Sequence, residues 1–159
     1  MGLLAVGLIV SVRNLPAQTS SKRVISLAAA DKIAAAAEAE ARKRGSTVVI
    51  VVVDDGGYPI LLRRLDDTQV ASVDVGIGKA RTAAIFRRPS KVFEDQVRNG
   101  RVAALALPGA TPLQGGVPLT FEGKVIGAIG VSGNTPQEDE DIAMAGAAVA
   151  EAALRSPGR

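Results

Sequence analysis

Apolar residues recur at Leu27, Ala30, Ile33, Ala37 and Ala41, a spacing that sets them on one face of a helix. Ser26 is placed to cap its start and Gly45 to stop it, with Arg42, Lys43 and Arg44 in the last turn. Small residues on that face predict a helix lying close against a sheet. The β-branched run Thr47–Val53 predicts a buried strand, and Tyr58–Leu65 predicts a second. The short turn Asp54–Gly57 between them predicts an antiparallel hairpin. Ser72–Phe86 reads as a helix capped by Ser72, weakened at Gly76 and Gly78 by roughly 1 kcal/mol each relative to Ala. Glycines there imply that another backbone or a ligand comes close. A short helix follows Pro89, and residues 101–116 are mostly irregular, with room for one short strand. Residues 117–133 alternate as a second hairpin about Glu122–Lys124, and Thr135–Leu154 reads as a long C-terminal helix.

Strands therefore arrive in hairpins rather than in βαβ alternation. That order predicts an α+β single domain, with helices packed on an antiparallel sheet, and argues against a doubly wound nucleotide fold. Gly127, Gly130 and Gly133 precede a helix start, which raises the question of a phosphate cradle. The helix answers it. Thr135 and Glu138 form a capping box with Pro136 between them, and Glu138–Asp141 is a run of carboxylates that would repel a phosphate. The glycines are then left to close packing or to a ligand over the sheet.

Composition removes whole classes of chemistry. The chain has 159 residues with no Cys and no His, so disulfides, thiolate nucleophiles, Ser-His-Asp triads and His-ligated metals are excluded. The net charge is +3 and aromatics are 3%, with basic residues scattered among acids, which is not the pattern of a nucleic-acid interface. The apolar run Leu3–Val12 is too short to span a bilayer and resembles a signal-peptide core, with Ala17 at a cleavable position. Residues 1–22 are thus expected to be a leader and linker, 23–155 the domain and 156–159 a disordered tail. A periplasmic or secreted location follows, with the cytoplasm as the alternative if no leader is cut.

Candidate chemistry gathers at few positions. Lys79 lies in a small, apolar helical stretch with Thr82 one turn on, where an ammonium can hold an anion or act as a base or amine nucleophile. Arg63 and Arg64 must face opposite sides of their strand, and Asp54 or Asp66 is available to pair with the inward one.

Four ordered stretches, "VVDDGGYPILLRRLDD", "GKARTAAIF", "PLQGGVPLTFEGKVIGAIGVSG" and "EDEDIAMAGAA", together resemble the GlcG/HbpS-like family from about Leu27 to Ala153. The resemblance implies a profilin-like or PAS-like domain with a five-stranded antiparallel sheet flanked by helices. It also implies homo-oligomers and a small-molecule ligand, with haem or a related tetrapyrrole as the class best known for the family. Positions shared with the family mark Asp54, Arg64, Lys79, Thr82, Gly115, Gly116 and Gly130 as ligand-binding residues, with no metal site. In this picture the pocket lies between the Lys79 helix and the glycine-bearing hairpins, and Arg64 and Lys79 hold an anionic group. Histidine ligation of haem iron has no counterpart here, and Tyr58 and Met144 are the only Tyr and internal Met available instead. An enzyme acting on a small organic acid through Lys79, and an accessory protein without a ligand, are the alternatives.

Overall fold

The structure, a computed structural model, describes residues 21–155. Helix α1 (Leu27–Lys43) begins where the Ser26 hydroxyl accepts a hydrogen bond from Ala29 N–H. It ends at Gly45, whose φ of +67° is a left-handed stop. Strands β1 (Val49–Asp54) and β2 (Pro59–Arg64) form the first hairpin, and β3 (Gly116–Phe121) and β4 (Lys124–Ser132) the second. The two hairpins join through β1 and β4, giving one antiparallel sheet in the order β2-β1-β4-β3.

Among the described residues the sheet has four strands, not the five expected from the resemblance. Residues 101–116, where the sequence left room for a short strand, instead form a 3-10 turn at Val102–Ala106 and an irregular run to Gly115. Pro108 and Pro112 lack the N–H donors that a ladder needs. The long C-terminal helix is also divided, into α4 (Pro136–Ala148) and α5 (Ala150–Arg155), at a turn where Val149 N–H bonds Gly146 O.

Strand alternation sorts the core into two layers. Val48, Ile50 and Val52 face α1, α4 and α5, packing with Ile33, Ile129 and Ile142. Val49, Val51 and Val53 face α2 (Ser72–Ile85), packing with Ala80, Ala83 and Ala84. Leu27 is the exception on its predicted helix face: at 61% exposure it stands outside the core. Ser72 does not cap α2. Ala71 holds that position, and the Ser72 hydroxyl is buried with no hydrogen-bond partner. Helix α3 (Lys91–Arg98) follows Pro89 as expected.

Helix α2 lies on the second hairpin with no side chains between the two backbones. A Cβ at Gly130 would stand 2.4 Å from Gly76 O and 2.6 Å from Ala80 N, and one at Gly116 would stand 2.1 Å from Lys79 O. Neither obstacle is a flexible side chain, so neither can yield cheaply. Gly130→Ala should therefore lower stability by about 3 kcal/mol, in the range of core overpacking. Urea unfolding checks this; an unchanged midpoint would mean that the helix does not rest on the strand.

Candidate functional site

The inner face of α2 offers Lys79 no room for a long side chain against the sheet. The chain runs instead past Gly115, where a Cβ would come within 3.0 Å of its Nζ. There Nζ donates to Val131 O at 3.1 Å and to Asp139 Oδ2 at 2.7 Å. The side chains of this pair are 5% and 2% exposed. Asp139 is set by the start of α4. The predicted capping box is present: Thr135 Oγ1 accepts from Glu138 N–H, and Glu138 accepts from Thr135 N–H. The turn then aims Asp139 inward, where Oδ1 also accepts from Asn134 N–H at 3.0 Å. Burial pushes the Asp139 carboxyl above its ordinary value of 3.8, against the opposing pull of Lys79 and of the Asn134 and Gly133 N–H groups.

A second polar layer holds the Gln114–Gly116 loop. Ser90 Oγ donates to Leu113 O at 2.6 Å and accepts from Gly116 N–H at 2.8 Å. Glu94 accepts from Gln114 N–H, and the Gln114 amide donates to Gln137 and Glu140. Thr82 donates to Gly78 O at 2.8 Å and accepts from Thr111 N–H at 2.7 Å, so its hydroxyl fastens the loop to α2.

The structure thus gathers Lys79, Thr82, Gly115, Gly116 and Gly130 around α2 and keeps Asp54 and Arg64 apart from them. Asp54 ends β1 opposite Gly127 and accepts from Gly56 and Tyr58 N–H at 2.9 Å each, closing its own turn. Arg64 lies on edge strand β2, two strands from β4, and donates to Thr68 O at 2.9 Å. The arginine that faces α1 is Arg63. It pairs with Asp31 at 2.6 Å and Glu38 at 2.7 Å on α1, not with Asp54 or Asp66. Sequence reasoning took Glu138–Asp141 as the acidic first turn of a well-capped helix and missed the partner of Lys79. Its signal was the helical spacing of Asp139 with Ile142, Ala143 and Gly146, all of which are buried.

An open cleft lies elsewhere, at the tip of the second hairpin. It measures about 680 Å³ and is lined by Lys22, Arg23, Asp55, Phe121, Glu122 and Lys124, with Ile126 among its apolar residues. A smaller hollow of about 200 Å³ shares its Arg23–Phe121–Ile126 wall and reaches Leu154 on α5. The guanidinium carbons of Arg23 and Arg155 stand 4.8 and 5.3 Å from the centre of the Phe121 ring. Among the described residues there is no group of three or more potential metal-ligating His, Cys, Asp or Glu side chains, and no helix is long and apolar enough to cross a membrane.

Residues 25–148 match the family described as haem degrading protein HbpS-like. Over 77 residues the chain is 46% identical to protein GlcG of Escherichia coli, a match covering 48% of this chain and 58% of GlcG. It therefore spans little more than half the length of that curated relative. The fold superposes on the crystal structure of an HbpS double mutant from Streptomyces reticuli with a TM-score of 0.78 and 31% identity, covering 90% of this chain and 98% of that one. It superposes on a PduOC:heme complex with a TM-score of 0.72 and 25% identity, covering 79% and 94%.

Removing one partner of a buried pair strands the other charge. Lys79→Met and Asp139→Leu should each cost about 3–5 kcal/mol, and the double variant much less than their sum. In Lys79→Met the Asp139 carboxyl loses its ammonium and rises further. A raised folded-state value means that the folded protein holds its proton where the unfolded chain has lost it. The deficit against the parent should therefore grow as pH rises above about 4. Denaturation midpoints measured from acid to neutral pH check both; a deficit that shrinks with rising pH contradicts the assignment.

Proposed function

The chain belongs to the HbpS-like family, and from that premise we propose that it binds a haem-related small molecule, a planar tetrapyrrole bearing carboxylates. The observation that carries this reading is the likeness, along most of the chain, to a PduOC:heme complex within the same fold. Lys79 supports a binding protein over an enzyme. Its Nζ is engaged by Asp139 at 2.7 Å and by Val131 O at 3.1 Å, and with its side chain 5% exposed it is not open to a substrate.

The residues present fit part of a haem and not the rest. No His or Cys exists to ligate iron. Tyr58 is 64% and Met144 54% exposed, on the first hairpin turn and on α4, and neither lines the cleft beside Phe121. Apolar residues and cations, which suit a porphyrin ring and its carboxylates, are present. The positions around Lys79 accept a ligand only if its carboxylate displaces Asp139. We extend the reading to a homo-oligomer, and to export on the strength of the Leu3–Val12 run, which lies outside the described residues, as does the 156–159 tail.

Titration of the full chain with haem should give a saturable change in the Soret band in the micromolar range. Absence of saturation there would remove tetrapyrroles from consideration.

A further inference from the structure

We propose that the cleft at the tip of the second hairpin is the tetrapyrrole site, and that it holds the ligand by its ring and carboxylates rather than by its iron. This rests on the reading that the protein binds a tetrapyrrole.

The cleft has the chemistry of such a ligand and lacks that of a metal. Its floor is Phe121 and Ile126, 6% and 7% exposed, which belong to the core and are therefore rigid. Its volume of about 680 Å³ suits an organic ligand of that size. Its rim carries Lys22, Arg23 and Lys124, and the guanidinium of Arg155 stands 5.3 Å from the centre of the Phe121 ring.

The carboxylates on the same rim do not close it to an anion. Asp55 is held by Lys22 at 2.6 Å. Glu122 meets Arg23 at 3.5 Å, with both side chains more than half exposed (52% and 67%), a contact worth little in water and easily exchanged. Lys124 has no carboxylate partner among the described residues. Arg23 already lies against an aromatic face, so a flat ring entering beside Phe121 meets a guanidinium poised for its carboxylate. No side chain lining the cleft is a histidine, cysteine, methionine or tyrosine, so iron gains no strong ligand.

The test uses the full chain with two probes, haem and metal-free protoporphyrin, and two surface variants. Arg23→Glu/Lys124→Glu reverses the rim, and Arg64→Glu alters the α2 face of the sheet. The proposal expects metal-free protoporphyrin to bind within about 3-fold of haem, and the rim variant to weaken both by about 10-fold or more. Arg64→Glu should change neither, and circular dichroism should show every variant folded at the temperature of the titration. Binding that survives rim reversal, or that is lost in Arg64→Glu instead, overturns the location. Haem bound far more tightly than the metal-free ring, with a ligated-iron spectrum, overturns the mode. If neither probe binds the parent, the tetrapyrrole reading itself falls.

Discussion

Helix α2 rests on the second hairpin backbone to backbone, and much of the structure follows from that contact. Gly76 meets Gly130 and the Lys79 carbonyl meets Gly116 at distances that leave no space for a side chain. The rest of that layer must then be small or β-branched, and it is: Ala80, Ala83 and Ala84 against Val49, Val51 and Val53. Lys79 cannot lie flat under such a helix. It leaves past Gly115 and needs a carboxylate at its end, which the first turn of α4 supplies. The buried pair thus ties α2 to α4 across the end of the sheet, between segments 60 residues apart.

What was legible in the sequence was local. The caps at Ser26 and Thr135, the stop at Gly45 and both hairpins depend on a few adjacent residues whose chemistry has one common use. The glycines of β4 also announced a close approach, though not what approached. The long-range choices were hidden. Alternation showed that Arg63 and Arg64 diverge, but which one meets α1 depends on a register that includes a bulge at Val52/Val53. The pairing of Lys79 with Asp139 had only a faint helical-spacing signal, hidden among three neighbouring acids that are only half-buried. The fifth strand expected from the resemblance met prolines in residues 101–116, where the sequence left room for it.

The same contact explains where a ligand has room. Close packing leaves Lys79 and Thr82 on the α2 side of the sheet already engaged, by Asp139 and by Thr111. Phe121 and Ile126 lie in the other layer of the core, where the start of the described chain and Leu154 of α5 line the cleft and the hollow beside it. An apolar floor beneath Arg23 and Lys124, in a chain without His or Cys, favours recognition of a ring and its acids over recognition of a metal.

Amide chemical-shift mapping of the full chain with metal-free protoporphyrin tests this account most directly. The account predicts shifts concentrated at Phe121, Lys124 and Ile126, with Arg23 and Arg155 beside them. Shifts concentrated instead at Lys79, Gly115, Gly116 and Asp139 would contradict it.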